Sequence, residues 1–120
     1  RIIRCNFEAQ LGVALVNQKD QHYTDALDGI NRLVTAFPDS AVAWAARAGM
    51  EKERNQLELA EYDYTEALKR DPNNSDYLLE RADIRIKMRK ISDARHDLDA
   101  VVKLGTPRIA LREWYNQCKQ

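Results

Sequence analysis

Prolines recur along this chain at an almost constant step. Pro38 and Pro72 lie 34 residues apart, and Pro107 follows 35 residues later. Dividing the chain into 34-residue frames that begin at Phe7, Ala41 and Ser75 aligns far more than proline. Ala14, Ala48 and Ala82 share position 8, and Ala26, Ala60 and Ala94 share position 20. Three apolar columns fall in the same register: Tyr23, Leu57 and Ile91 at position 17, Ile30, Tyr64 and Leu98 at position 24, and Val34, Leu68 and Val102 at position 28. A fixed period of this length marks a repeat architecture, in which no single unit can bury its apolar face without a neighbour.

Inside each frame the apolar spacing is helical. Tyr23, Ala26, Leu27, Ile30, Leu33 and Val34 follow the i, i+3, i+4, i+7 pattern, and residues 57–68 and 91–102 repeat it. Pro38 and Pro72 end the second helix of their frames, because proline lacks a donor and clashes with the preceding turn. Asp39-Ser40 and Asn73-Asn74-Ser75 then supply side-chain oxygens to cap the next helix. Thr106-Pro107 pairs a capping residue with proline at a first helical position. The pattern predicts helices over 5–19, 22–36, 40–54, 57–70, 75–88, 91–104 and 107–118. Small residues at positions 8 and 20 let the two helices of a frame cross at close range.

The chain resembles the tetratricopeptide-repeat family. Trp44, Ala48, Ala60, Tyr64, Ala67 and Pro72 match that family's pattern in the second frame. Val13, Ala14, Ala26, Ile30 and Pro38 match it in the first, and Leu78, Ala82, Ala94 and Leu98 in the third. Residues 7–108 are covered. Position 11 departs, with Asn17, Glu51 and Arg85 where tyrosine is usual, and position 7 carries Arg47 and Arg81 in two frames. The resemblance implies one all-α domain over residues 1–120, a right-handed superhelical α-solenoid of three antiparallel helical hairpins. Its repeats would be 7–40, 41–74 and 75–108, and residues 107–118 would form a C-terminal capping helix. On that helix Ala110, Trp114 and Cys118 share one face with Leu111 and Tyr115 beside it, so Trp114 is expected to be buried against the third hairpin.

Composition excludes several functions. Nineteen Lys and Arg balance nineteen Asp and Glu, so the concentrated positive charge that nucleic-acid binding needs is missing. Arg85, Lys87, Arg89 and Lys90 form the one basic cluster, which lacks interleaved aromatics and reads as a solvated turn. No apolar run approaches the roughly 18 residues of a membrane span. Cys5 and Cys118 sit near opposite ends with no CxxC partner, and read as reduced helix residues. His22 and His96 have no further metal ligand at usable spacing, and no glycine-rich phosphate loop occurs. Catalytic, cofactor and metal residues are therefore expected to be none. The chain opens on Arg1 without a signal-peptide pattern and reads as a fragment or processed form, so its compartment is not legible.

The resemblance also implies a binding face, because the first helix of each repeat lines the concave side in that family. Positions 2, 5, 6, 9, 12 and 13 would face the groove. The candidate partner-binding residues are Glu8, Leu11, Leu15 and Lys19, then Val42, Ala45, Gly49 and Lys52, then Asp76, Leu79, Glu80, Asp83 and Ile86. Leu11, Leu15 and Leu79 would be its apolar walls, and Asp76, Glu80 and Asp83 would make one end acidic. The family's clamp for a C-terminal carboxylate needs Lys, Asn and Arg where this chain has Leu11, Leu15, Ala46, Asp76 and Glu80. The expected function is a non-catalytic protein-interaction scaffold. Its partner would be a protein or peptide, apolar or helical with a basic end, and neither nucleic acid nor a membrane. The alternative is a structural module of a longer repeat protein, which self-associates as a homo-oligomer or has its groove covered in cis.

Overall fold

The computed structural model describes residues 11–119, with side chains from His22 onward. Among these residues every regular element is helical: α1 (Leu11–Ala36), α2 (Ala41–Glu53), α3 (Leu57–Arg70), α4 (Ser75–Lys87), α5 (Ile91–Lys103), a 3-10 turn (Arg108–Leu111) and α6 (Arg112–Gln117). From α2 to α5 the bounds agree with the sequence pattern to within one residue. The expected caps form. Ser40 accepts from the Ala43 amide at 3.3 Å and Asn74 from the Tyr77 amide at 3.1 Å, each satisfying a donor that the first helical turn leaves open. Both tight turns inside the hairpins place position 15 in the left-handed region, Asn55 at φ 62° and Arg89 at φ 66°. At the end of α5, Gly105 (φ 121°) takes the conformation that suits a residue without a Cβ.

The first frame departs from expectation. A break was predicted between residues 19 and 22, yet α1 runs unbroken for 26 residues. Lys19, Asp20, Gln21 and His22 contain neither proline nor glycine, so nothing local stops the helix. Gln21 occupies position 15, where Asn55 and Arg89 turn the later frames. Asparagine adopts positive φ readily and arginine does not, and a backbone bond closes each turn: the Gln56 amide donates to the Glu51 carbonyl at 2.8 Å and the Lys90 amide to the Arg85 carbonyl at 2.7 Å. Among the described residues the all-α solenoid therefore contains two closed hairpins, α2–α3 and α4–α5, with α1 laid against α2.

The core follows the alanine columns. Ala48, Ala60, Tyr64 and Ile84 form one cluster, centred on the α2–α3 hairpin and its contact with α4. Leu68, Leu78, Ala82, Ala94, Leu98, Val101, Leu111 and Cys118 form the other. The capping segment closes this second cluster with Leu111 and Cys118, and Trp114 and Tyr115 pack against it as half-buried rings. The single capping helix predicted over 107–118 is instead a 3-10 turn followed by a short α-helix. The tighter turn, about three residues rather than 3.6, rotates the register. Leu111 goes inward in place of Ala110, which stays exposed.

A polar seam crosses each junction between frames. Arg47 donates Nε and Nη2 to the two carboxylate oxygens of Asp63 at 2.8 and 3.0 Å, and Nη1 to Asn31 Oδ1 at 3.0 Å. One frame later, Arg81 donates to Asp97 at 3.0 and 2.6 Å and to Thr65 Oγ1 at 3.0 Å. An arginine at position 7 thus grips position 23 of its own frame and position 25 of the frame before. In the cap, Tyr115 stands one frame after Arg81, and its hydroxyl donates to Asp99, again position 25, at 2.6 Å. The two-pronged arginine geometry suits a carboxylate better than lysine would. Asp63 and Asp97 are almost wholly buried, so each depends on its arginine for compensation.

Position 11 divides the two seams. Arg85 adds to the lower one, reaching Asp97 at 3.0 Å and Glu61 at 2.8 Å. Its counterpart Glu51 is buried, and its Oε1 has no hydrogen-bond partner. Burial, then contact with Asp63, pushes the Glu51 carboxyl up from 4.5 to about 8, while Arg47 pulls weakly the other way. Glu51 is therefore held as the neutral acid at pH 7, which lowers the cost of its unpaired oxygen.

Two outcomes follow from these seams. Asp97→Ala leaves Arg81 and Arg85 without their buried acceptor and lowers unfolding free energy by about 3–5 kcal/mol, whereas Asp99→Ala, at a half-exposed carboxylate, costs under about 1 kcal/mol. Urea denaturation of both variants measures the difference. At Glu51 the folded-state value lies above the unfolded one, so its stabilising share is complete below about pH 4.5 and disappears as pH rises through 8. Glu51→Gln should leave stability unchanged near pH 4 and raise it by about 1–3 kcal/mol at pH 9. Equal pH profiles for the two proteins would refute this account of Glu51.

Candidate functional site

Helices α2 and α4 are the first helices of their frames, and their candidate residues fall into two groups. Val42 is 69% exposed, and Asp76 is exposed as well. Ala45, Gly49, Leu79 and Ile86 are half-buried. Ala45 packs on the first core cluster, and Leu79 and Ile86 pack on the second. Leu79 is thus a shared element of core and surface rather than a free-standing wall. Gly49 adds no side chain to this surface, although a Cβ there would fit, at an ordinary 3.7 Å from the Tyr64 hydroxyl.

Lys52, Glu80 and Asp83 are brought together across the two helices. Lys52 Nζ reaches Glu80 Oε1 at 2.5 Å and Asp83 Oδ2 at 2.8 Å. Burial alone would lower the Lys52 pKa, but hydrogen bonds to Asp83 and Glu80 outweigh it and raise the value. For Asp83, burial acts upward and is outweighed by Lys52, which holds the carboxyl below its usual range. Lys87 joins from the same helix at 3.2 Å. The acidic end read from the sequence is therefore partly neutralised from within, with Asp76 and the half-exposed Glu80 left facing solvent. Nearby, burial pushes the Tyr64 hydroxyl up to about 12, so it stays protonated.

The first-frame candidates take another place. Glu8 lies outside the described residues, as do the side chains of Leu11, Leu15 and Lys19. Their backbone belongs to α1, which continues along its own axis rather than turning back beside α2. Three residues of the basic turn are paired with neighbouring carboxylates: Arg85 and Lys90 both reach Glu61 of α3, each at 2.8 Å, and Lys87 reaches Asp83. Trp44 is also engaged. Its Nε1 donates to the Pro38 carbonyl at 2.9 Å, and the guanidinium carbons of Arg70 and Arg47 sit 4.6 and 5.1 Å from the ring centre. His96 lines an open polar hollow on α5 with Ser92, Asp93, Arg95 and Asp99. Among the described residues no group of three or more His, Cys, Asp or Glu is placed to hold a metal. No described helix is long and apolar enough to cross a membrane.

Sequence reasoning missed the seams. Arg47 and Arg81 stand out in the sequence only as departures from the family's pattern at position 7, although Asp63 and Asp97 follow each by the same 16 residues. That repeated spacing was the available signal.

Neither a protein-family profile nor any curated protein matches the sequence. Solved structures do. The second tetratricopeptide domain of human RPAP3, bound to an HSP70 peptide, is 27% identical with a TM-score of 0.71, over 85% of this chain and 86% of that one. The TPR2B domain of yeast Sti1, in complex with an Hsp70 peptide, superposes at 0.69 with 21% identity, over 92% and 93%. The Yersinia enterocolitica secretion chaperone SycD, bound to a peptide of the translocator YopD, superposes at 0.67 with 15% identity, over 98% and 91%. Repeat length, hairpin pairing, alanine columns and these superpositions identify the fold as that of the tetratricopeptide-repeat family.

Proposed function

We propose that this chain is a non-catalytic protein-interaction scaffold that binds a partner peptide or domain on the surface shared by α2 and α4. The observation that carries the reading is the juxtaposition on neighbouring first helices of exposed Val42, small Ala45 and Gly49, and the Lys52–Glu80–Asp83 junction. A shallow apolar floor bounded by charge accommodates an amphipathic segment, with burial supplying affinity and the charges setting direction. The solved structures of similar fold that carry HSP70 or YopD peptides support a peptide as the ligand class.

Peptides ending in the acidic EEVD motif, as in the RPAP3 complex, fit this chain poorly. Asp76 and Glu80 stand where that recognition needs lysine and arginine. The partner proposed here is an apolar or helical segment with a basic end, which Asp76 and Glu80 attract and for which Lys52 must yield part of its pairing. Glu8, Leu11, Leu15 and Lys19 belong to the same face only where the first frame closes into a hairpin.

An array of amphipathic helical 15-residue peptides, with matched basic and acidic ends, tests the reading by fluorescence anisotropy. Basic-ended peptides should bind saturably. Val42→Glu combined with Asp76→Lys should weaken binding at least tenfold, about 1.4 kcal/mol, without moving the thermal midpoint, because both side chains are exposed. Equal binding by the double variant would exclude this surface, and preference for the acidic-ended peptides would reverse the assigned polarity.

A further inference from the structure

The repeat register exposes an incomplete layer in α1. In the closed frames the position-20 alanines, Ala60 and Ala94, are fully buried, each clustered with the position-8 alanine of its own first helix, Ala48 or Ala82. Ala26 holds the same position in the first frame and is exposed. At position 24, Tyr64 and Leu98 are buried while Ile30 is half-buried. At position 27, Ala67 and Val101 are fully buried while Leu33 is 46% exposed. Ala26, Ile30 and Leu33 are spaced i, i+4, i+7 and so form one stripe. Val34, which belongs to the column turned toward the next frame, is buried as its counterpart Leu68 is. Among the described residues, the second half of α1 thus has its neighbour α2 on one side and no first helix of its own on the other.

The register also names the missing piece, since position 8 of the first frame is Ala14, in the first half of the same helix. A continuous helix cannot cover itself. Ala14 and Ala26 are twelve residues apart, about 18 Å along the axis. We propose that two copies of this chain exchange the first half of α1, so that residues 11–20 of each lie against the Ala26–Ile30–Leu33 stripe of the other. The exchange replaces the turn at 20–22 with straight helix and rebuilds between copies the contact that α2 makes with α3 within one. Swapping of this kind reuses contacts already encoded, so it needs no new complementary surface. It goes beyond the peptide-binding surface on α2 and α4 and does not depend on it.

Cross-linking the full chain tests the exchange. The variants A14C and A26C are made separately in a C5S background; Cys118 is buried and remains. When the two are mixed at tens of micromolar, a short bismaleimide should link an A14C copy to an A26C copy, and sedimentation should show doubled mass. Gln21→Gly places a residue without a Cβ at position 15, where the later turns adopt positive φ. It should weaken the dimer at least tenfold and convert the A14C/A26C double variant to an internally linked monomer. A double variant that is internally linked and monomeric without Gln21→Gly overturns the exchange in favour of a closed hairpin. Absence of any cross-link between the mixed variants, or a dimer whose affinity Gln21→Gly leaves unchanged, overturns it as well.

Discussion

The arginine at position 7 of a frame, gripping a buried aspartate at position 23, is the interaction on which the stacking order depends. Arg47 and Arg81 each use two donors on an aspartate of their own hairpin and a third on the preceding helix, at Asn31 or Thr65. One planar group therefore sets both the crossing of two helices within a hairpin and the offset between hairpins. Apolar burial provides most of the stabilisation, but it is tolerant of sliding because methyl contacts have little directional preference. A buried carboxylate tolerates no such error. Displacing Asp97 from Arg81 by one helical position would strand its charge in the core, and that penalty removes alternative registers.

The first frame shows what happens without this pair. Position 7 there is Val13 and position 23 is Gly29, so no arginine–aspartate grip can form between its two helices. With Gln21 at the turn position and no breaker beside it, local propensity favours a continuous helix. Asn31 nevertheless accepts from Arg47, so the second half of α1 is docked onto the closed array by the same seam that orders the rest. Stability in a stack of repeats is close to a sum of units and nearest-neighbour contacts. An end unit that has lost its internal grip but kept its neighbour contact should open within itself before it leaves the array.

The columns of alanine and the capping residues made most of the fold legible. Ala48, Ala60, Ala82 and Ala94 define the two hairpin crossings, and Ser40 and Asn74 mark helix starts, because each depends on local spacing and backbone chemistry. The break in the first frame was not legible, since hairpin closure rests on tertiary contacts that a periodic pattern does not weigh. Only the first turn of the cap departs from the helical spacing, with Leu111 inward in place of Ala110, because a 3-10 turn leaves no hydrophobic signature; Trp114 and Cys118 face the core as that spacing predicts. At the candidate surface the residue types were visible but their pairing was not. Lys52 lies 28 residues from Glu80, and only the packing of α4 against the α2–α3 hairpin brings them together.

The same logic links the seams to recognition. Each arginine–aspartate pair lies between first and second helices, and the Lys52–Glu80–Asp83 junction lies between successive first helices. The buried pairs hold the backbones rigidly, while the junction is partly solvated and its lysine can exchange partners at modest cost. A ligand that brings its own cation to Glu80 or Asp83 would release Lys52 toward a ligand carboxylate or carbonyl. On the proposed reading, hairpins carrying a rearrangeable polar junction beside a small-residue floor would accept segments differing in detail while still selecting for a basic end. Selectivity here would come from charge placed by the stack, and affinity from the apolar area that Val42, Ala45 and Gly49 leave accessible.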